Sequence, residues 1–394
     1  MQPHKNDSIA SSYNEVPHLK KFECAVIGGG LAGLSLSILL AKTGRKVILF
    51  EKDKYPFHRV CGEYISFESR NFIEHLGLDL SNLDLPIIKN LIVSSPNGDF
   101  IRSKLDMGGF GISRYFIDNE LKKIAVKNGV ILVEETKVTD VIFKNETSTV
   151  VYNGGEIYCG IVAACYGKRS NLDIKWSREF IKQKPGKLNN YIGVKYHVET
   201  AFPDDTIALH NFKDGYCGLS KVEGNRYCLC YLTTAKNLKE NNNSIKEMEK
   251  NVLHKNPFLK TIFTEASFIL KEPVIISQIS FDKKSQVENH ALMIGDSAGM
   301  ITPLCGNGMS VAFHSSKIAF NAINSFLNKT ISRKKIERQY SSQWKKHFET
   351  RLRNGRMIQK LFGKALTTNV FIGAIKHFPF LIHKMIRATH GKEF

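Results

Sequence analysis

Residues 22–52, FECAVIGGGLAGLSLSILLAKTGRKVILFEK, hold the pattern that decides the fold. An apolar run of strand length at 22–27 leads into the glycine-rich turn 28–33, and apolar side chains then recur at helical spacing until Gly44. A second short apolar run ends on Glu51. This order predicts a strand, a tight turn, a helix and a second strand, which together form a βαβ unit of an α/β protein.

The glycines of the turn have the spacing of a dinucleotide-binding site. Gly28 permits the tight turn, Gly30 lets the backbone approach a diphosphate, and Gly33 lets the helix pack closely on the strand. We expect the diphosphate on the free amides at the helix N-terminus, and Glu51 should accept hydrogen bonds from ribose hydroxyls. An acid at position 51 favours an unphosphorylated ribose, as in FAD or NAD, without choosing between them. The alternative is a glycine turn with a purely structural role.

The composition limits the classes of partner. The chain has 394 residues and a net charge of +19, which suits nucleic acid, an anionic membrane surface or anionic substrates such as NADPH. No basic segment is interleaved with a recognisable nucleic-acid motif, so we expect no nucleic-acid partner. The eight cysteines are scattered rather than spaced as metal ligands or a disulfide framework, which predicts no metal site and a reducing, cytoplasmic setting.

Neither end of the chain predicts a membrane-spanning segment. Residues 1–20 are polar and lack the apolar centre of a signal peptide, so we expect a disordered leader. Residues 329–394 carry sixteen lysines and arginines against three glutamates, together with short apolar groups. This basic segment either packs over the core with its lysines reaching water, which we favour, or lies on an anionic bilayer as a peripheral contact.

Two further regions of the chain carry chemistry. Residues 55–62 form an irregular connection after Glu51 and place Arg59, Cys61 and Glu63 beside the predicted nucleotide, unless the loop is merely solvated. A strand-like run at 290–294 leads into Gly295-Asp296, and Gly306-Asn307-Gly308-Met309 then opens a long helix. A glycine-flanked helix start presents free amides to a ligand.

Three separated signals resemble the FAD-dependent aromatic monooxygenases and geranylgeranyl reductases. They are Gly28-x-Gly30-x-x-Gly33 with Glu51, Gly295-Asp296 with Pro303 and Gly306-Asn307-Gly308, and a helix start at Arg114. The resemblance implies an α/β fold of the glutathione-reductase type. A Rossmann-type FAD-binding domain would carry an inserted, mostly antiparallel β-sheet substrate domain and a helical C-terminal segment.

The resemblance also implies domain limits. The FAD-binding domain takes residues 21–90, 113–172 and 286–328; the substrate domain takes 91–112 and 173–285; and residues 329–394 are the basic helical segment.

The resemblance further selects FAD as the cofactor, with NADPH or NADH as a transient reductant. The implied cofactor-binding residues are Gly28, Gly30, Leu31, Ala32, Gly33, Glu51, Lys52, Arg59, Arg114, Asp296, Pro303, Gly306, Asn307, Gly308 and Met309. The implied catalytic residues are Cys61 and Glu63. Asp296 is expected to bind the ribityl chain, and Arg59 is expected near the diphosphate.

Some residues depart from the family pattern. Residues 164–170, ACYGKRS, correspond to the GADGxxS segment of the family, and Tyr166 stands where that segment commonly has aspartate. The two tryptophans, Trp176 and Trp344, cannot form the WxWxIP motif of halogenases, which makes halogenation an unfavoured hypothesis. The loop at 59–63 resembles that of the reductases, yet residues 216–220 lack the tryptophan and proline of their YxWxFP motif.

The leading hypothesis is an NAD(P)H-dependent monooxygenase. It would hydroxylate a lipophilic aromatic or polyketide-type small molecule through a flavin hydroperoxide. The first alternative is a reductase that saturates carbon–carbon double bonds of a prenyl or polyene chain, with Cys61 near the flavin and Glu63 positioning it. The second alternative is a non-catalytic flavin-binding scaffold.

Overall fold

The computed structural model describes residues 21–183, 189–362, 365–376 and 378–394. The predicted leader at 1–20 lies outside the described residues. The strands are β1 Lys21–Ile27, β2 Val47–Phe50, β3 Tyr64–Ser66, β4 Ile87–Ser94, β5 Phe100–Gly111, β6 Ile131–Val133, β7 Val138–Lys144, β8 Thr147–Tyr152, β9 Gly155–Ala164, β10 Asn189–Glu199, β11 Thr206–Phe212, β12 Gly215–Val222, β13 Arg226–Thr234, β14 Ser267–Phe268, β15 Val274–Ser280, β16 Val287–Glu288 and β17 Ala291–Met293.

Helices cover both sheets and make up most of the C-terminal segment. They are α1 Leu31–Lys42, α2 Arg70–Leu76, α3 Arg114–Lys127, α4 Asn171–Lys175, α5 Glu179–Lys182, α6 Ala235–Lys239, α7 Ile245–Asn251, α8 Pro257–Glu265, α9 Gly308–Leu327, α10 Arg333–Leu361, α11 Ala365–Ile375 and α12 Pro379–Arg387. In the part of the chain that the structure describes, no helix combines the length and the hydropathy that crossing a bilayer requires.

The first sheet is built around β1. Its strands run in the order β16-β17-β9-β1-β2-β6, and β7 and β8 extend it beyond β9. Strands β2, β9 and β1 are parallel, and Ile27 at the end of β1 lies opposite Phe50 on one side and Ala164 on the other. Because parallel strands end at the same edge, the residues that follow β1, β2, β9 and β17 meet there. That edge is where the cofactor end of the site is built.

The second sheet is mostly antiparallel, in the order β14-β10-β13-β12-β11-β4-β5-β3 with β15 against β10. One face packs with α7 and α8, and the other shares a hydrophobic cluster with α11 and α12. The pairing of β4 with β11 is parallel.

Two local predictions about this sheet were wrong. The apolar runs at 191–198, 207–212, 215–222 and 226–232 predict four consecutive antiparallel strands, but β10 pairs with β13 and not with β11. Short turns join β11 to β12 and β12 to β13, which leaves the other edge of β13 for β10. In addition, the helical periodicity of residues 66–77 predicts a helix that begins at Ser66, but Ser66 ends a strand bonded to β5, and α2 begins only at Arg70.

The predicted fold class is confirmed by this arrangement of a parallel sheet, an inserted antiparallel sheet and C-terminal helices. Helix α9 packs on α1, α10 lies along α9, and α11 and α12 close over the second sheet. The two sheets and these helices enclose the main cavity.

Candidate functional site

A single cavity of about 860 Å³ runs between the two sheets. One end is lined by the glycine-rich turn and the residues after β2, and the other end by the second sheet and the C-terminal helices. The volume is that of a pocket for a large cofactor or ligand.

The glycine-rich turn has a backbone that only glycine fits at two positions. Gly28 has φ +101°, and a Cβ there would lie 2.6 Å from the carbonyl oxygen of Cys165. A Cβ on Gly33 would lie 2.0 Å from the carbonyl oxygen of Gly28. Helix α1 begins directly after Gly30, and no side chain caps this end. Its free amides therefore face the cavity and can bind an anionic group.

A network of two acids and two arginines adjoins this turn. The Glu51 carboxylate accepts hydrogen bonds from the Gly29 amide (2.8 Å) and from Arg59 Nη2 (2.8 Å). Arg59 Nε also donates to Asp118 Oδ2 (3.0 Å), and Arg114 donates to both oxygens of Asp118 (2.8 and 2.7 Å). Glu51 and Asp118 are buried. The network holds two guanidinium groups at the cavity wall beside the helix N-terminus.

A second uncapped helix start lines the same cavity, and Gly295 before it lies against Ala32 of α1. Asp296 lies in a 3₁₀ turn just after β17, and the 3₁₀ turn Pro303–Cys305 ends on Gly306 with φ +64°. Asn307 then precedes α9, whose N-terminus has no side-chain cap. Asn307 Oδ1 is buried and has no hydrogen-bond partner among the described residues. This end therefore offers free amides and an unused acceptor to a ligand.

The loop between β2 and β3 approaches the same helix start. The Cys61 thiol donates to Met309 Sδ at 3.2 Å. Three side chains donate hydrogen bonds to backbone carbonyl oxygens of the loop. Lys168 bonds the carbonyl of Val60 (3.0 Å), Ser220 bonds that of Gly62 (3.2 Å), and Cys228 bonds that of Cys61 (3.2 Å). The loop is thus fixed to the walls of the cavity, with Cys61 half-buried beside α9.

Glu63, at the end of this loop, is fully buried in an ion-paired cluster. One carboxylate oxygen accepts hydrogen bonds from the Arg114 amide (2.7 Å) and the Lys195 ammonium, and the other accepts from His197 Nε2 (2.6 Å). Burial alone would raise the pKa of Glu63, but Lys195 and His197 lower it to about 2. An ionised carboxylate has no proton to donate, so Glu63 acts by positioning the loop.

The same cluster has the spacing of a metal site. Glu63, His197 and Cys228 place ligand atoms within 4.8 Å of one another. However, the Lys195 ammonium already supplies a cation to the carboxylate, and the Cys228 thiol donates to a loop carbonyl. A second positive charge here would be repelled by Lys195, so we interpret the cluster as a buried ion pair.

Tyr166, the departure from the family pattern, has a structural partner. Its hydroxyl donates to Asp173 Oδ1 (2.6 Å), and fully buried Arg178 donates to the same oxygen (2.9 Å). Arg178 also donates to the carbonyl oxygens of Ser285 and Ser297, both at 3.0 Å. The tyrosine therefore joins a network that ties the segment after β9 to the segment carrying Asp296.

The far end of the cavity is an apolar chamber. Its lining includes Leu91, Ile207, Leu232, Phe371, Ile382 and Met385. Tyr216 also lines it, is 4% exposed, and has a hydroxyl with no hydrogen-bond partner among the described residues. Burial raises the pKa of Tyr216 well above its usual range, so the phenol stays neutral and can donate. The chamber suits a lipophilic molecule with a polar group.

The structure brings nearly all of the predicted site residues to this one cavity. Every predicted cofactor-binding or catalytic residue lines it, except Gly33, whose position is set by packing against Gly28. The roles of these residues stay predictions.

Sequence reasoning missed Asp118, Lys195 and His197. Asp118 could have been found as a helical i, i+4 partner of Arg114, and Lys195 with His197 as two polar residues on one face of an otherwise apolar strand.

A family model described as an FAD binding domain matches residues 21–352. The chain belongs to this FAD-binding family. The predicted superfamily is therefore confirmed, and the protein is of the FAD-dependent oxidoreductase type.

Curated relatives of this FAD-binding protein carry several names. It is 25% identical to conditioned medium factor receptor 1 of Dictyostelium discoideum, over 86% of this chain and 71% of that protein. It is 24% identical to digeranylgeranylglycerophospholipid reductase of Methanococcus vannielii, over 84% of each.

Solved structures show the same fold at low sequence identity. A flavin-dependent brominase superposes with a TM-score of 0.75 at 20% identity, over 94% of this chain and 93% of that one. A geranylgeranyl bacteriochlorophyll reductase-like protein from Thermoplasma acidophilum gives 0.74 at 16% identity, over 95% and 97%.

The residues present fit FAD. The uncapped end of α1 with Arg114 beside it suits the diphosphate, and Glu51 lies where a ribose hydroxyl can donate to it. Asp296 suits the ribityl chain, and the uncapped start of α9, with the unpaired Asn307 oxygen, suits the polar edge of the flavin.

Proposed function

We propose that this FAD-binding protein reduces a carbon–carbon double bond in a long, apolar substrate such as a prenyl or polyene chain. The observation that carries the proposal is Cys61, whose thiol lies 3.2 Å from Met309 at the start of α9 and lines the cavity that continues into the apolar chamber. The sequence alone favours hydroxylation, and the position of Cys61 is our reason for preferring double-bond reduction.

The protein's own groups divide the work. Bound FAD supplies two-electron transfer, after reduction by NADPH or NADH as a transient partner. Saturating a double bond also needs a proton, and the Cys61 thiol is the donor that the loop holds at this place. The ion pair of Glu63 with Lys195 keeps the loop fixed, and the apolar chamber excludes water and binds the chain of the substrate.

The same thiol weighs against hydroxylation. A hydroxylase generates a strong oxidant beside the flavin, and a half-buried thiol at that place would be consumed by it. Two kinds of curated relative are also named reductases: the digeranylgeranylglycerophospholipid reductase described above, and a menaquinone reductase of Mycobacterium tuberculosis that is 23% identical over 46% of this chain and 46% of that protein. Both names describe molecules with long isoprenoid chains, which supports the proposed substrate class.

Hydroxylation of an aromatic lipophilic substrate is the second candidate. Tyr216 favours it, because a neutral buried phenol with no described partner can bind the hydroxyl or carbonyl group of such a ring.

Anaerobic turnover separates the two candidates. The FAD-loaded protein is reduced with NADPH or NADH without oxygen and mixed with a detergent-dispersed polyprenyl substrate. We expect the flavin to reoxidise and the product to gain two hydrogens. Turnover that starts only when oxygen is admitted, with a product that gains an oxygen atom, would establish the hydroxylase instead.

Two variants test the thiol in the same assay. Cys61→Ala should lower the rate of flavin reoxidation by about 10²- to 10⁴-fold, the usual contribution of a positioned proton donor. Cys61→Ser keeps a weaker donor of similar size and should fall between. If all three proteins reoxidise equally fast, Cys61 is not the donor. If the protein binds flavin but neither nicotinamide reduces it nor any substrate reoxidises it, the result would support the non-catalytic scaffold.

A further inference from the structure

Helices α11 and α12 are apolar on two opposite sides. Their inner sides contribute Phe371, Ile375, Ile382, Met385 and Ile386 to the cavity wall. On their outer side, Val370, Phe378, Phe380 and Leu381 are 66%, 52%, 65% and 37% exposed. We call these four side chains the outer ridge. Packing over the core explains the inner side and leaves the outer ridge unexplained, because each aromatic ring exposed to water costs about 1.5–3 kcal/mol relative to burial.

The lysines and arginines within residues 365–387, which are Lys376, Lys384 and Arg387, have no acidic residue among them. Arg387 bonds Asp106 on β5, so it is neutralised within the protein. Lys376 and Lys384 are exposed and make no ion pair with the residues that the structure describes. The outer ridge is therefore flanked by two lysines that are free to meet an anionic surface.

This combination is that of an element which lies in the interface of a bilayer. Phenylalanine and leucine enter the boundary between headgroups and acyl chains, while lysines beside them contact anionic headgroups. Each lysine near such a surface contributes roughly 1 kcal/mol. Helices α11 and α12 are also the roof of the apolar chamber, so a lipid that lies in the bilayer is only one helix layer away from the cavity.

We propose that the outer ridge docks on the surface of an anionic lipid bilayer, with Phe378 and Phe380 inserted and Lys376 and Lys384 on the headgroups. The chamber then faces the membrane, and a long-chain substrate reaches it from the lipid phase. The docking surface stands on exposure and charge alone; only the passage of substrate rests on the proposed function.

Vesicle flotation tests the docking without substrate or turnover. The full-length, FAD-loaded protein is mixed with phosphatidylcholine vesicles, with and without phosphatidylglycerol, at low and high salt. We expect flotation with the anionic vesicles that weakens at high salt. The Phe378→Ser/Phe380→Ser variant should bind at least about tenfold more weakly, which corresponds to about 1.4 kcal/mol. Lys376→Glu/Lys384→Glu should lose the preference for phosphatidylglycerol.

Ile142→Ser is the matched control, because Ile142 is 50% exposed on β7 in the first sheet. It should float like the wild type, and all variants should keep the flavin spectrum and melting temperature. The proposal is overturned if the wild type does not float, or if the phenylalanine variant floats equally well. It is also overturned if sedimentation shows a second copy on the ridge, as a dimer that the phenylalanine variant dissociates. Turnover of detergent-dispersed substrate reports separately on the proposed function.

Discussion

The two ends of the cavity are built on different principles. At the cofactor end, polar groups from the turn, the loop and α3 hold one another through buried ion pairs, as in the network of Glu51, Arg59, Asp118 and Arg114. At the chamber end, apolar side chains from several strands of the second sheet and from the last helices pack together beside the neutral phenol of Tyr216. Substitutions at the cofactor end should therefore cause large losses of stability or FAD binding, and substitutions at the chamber end should cause small ones.

The largest effect is expected at Gly33. In Gly33→Ala the new methyl group would lie 2.0 Å from the Gly28 carbonyl oxygen, so the turn and α1 must separate. We expect a protein that retains no FAD, measured as the ratio of flavin to protein absorbance after purification. Gly373→Ala is the control, because no atom lies within 4 Å of its new methyl group. A yellow Gly33→Ala protein would contradict the prediction.

Glu63→Gln tests the buried ion pair that fixes the loop. Losing one partner leaves the Lys195 ammonium buried without its counter-ion, which costs about 3–5 kcal/mol of unfolding free energy. Denaturant titration measures the loss. The double variant Glu63→Gln/Lys195→Met should recover a large part of it, because it removes the stranded charge. Equal losses of unfolding free energy in the single and the double variant would show that the stranded Lys195 charge is not the cause of the loss.

The pH dependence of stability sharpens the same test. The pKa of Glu63 is about 2 in the folded protein and near the ordinary glutamate value of 4.5 when unfolded. Its stabilisation is therefore fully present above about 4.5 and is lost as the pH falls toward 2. In thermal melts, the wild type should lose stability more steeply over that window than Glu63→Gln. Parallel curves would mean that the carboxylate is not held in its charged form.

Arg59 and Lys52 should differ in their effect on FAD. Arg59 bonds two buried acids, whereas Lys52 pairs with its neighbour Asp53 and its side chain is 65% exposed. Arg59→Ala should weaken FAD binding by about tenfold to hundredfold, the value of one charged hydrogen-bonded contact of about 1.5–3 kcal/mol. Lys52→Ala should change it by less than about threefold. Titration of each apoprotein with FAD, followed by flavin fluorescence, measures the two affinities. Equal losses of affinity in the two variants would contradict the prediction.

The smallest effect is expected from Tyr216→Phe. The lost hydroxyl has no described hydrogen-bond partner, so unfolding free energy should stay within about 1 kcal/mol of the wild type or rise. Affinity for a substrate with a polar group should fall by about tenfold, while a pure hydrocarbon chain should bind unchanged. A loss of stability of several kcal/mol would show that the hydroxyl is bonded in solution.

The same contrast explains what the sequence predicts. The parallel sheet, the turn and the start of α9 follow from patterns within about thirty residues, because strand, glycine and helix signals are local. The partners of Glu63 lie more than a hundred residues away on β10, and no local sequence pattern predicts that pairing. Strand order in the second sheet was mispredicted for the same reason, since the edge that β10 joins is set by tertiary assembly.

Arg178 has a consequence for the residence time of the cofactor. This one buried side chain bonds Asp173 in the segment after β9, Ser285 between β15 and β16, and Ser297 in the turn that carries Asp296. If Asp296 holds the cofactor, as the sequence predicts, opening this turn away from the other two segments would break the hydrogen bond from the buried Arg178 guanidinium to the Ser297 carbonyl oxygen. We therefore expect the cofactor to be exchanged far more slowly than the substrate, so that each molecule keeps its own flavin through many reaction cycles.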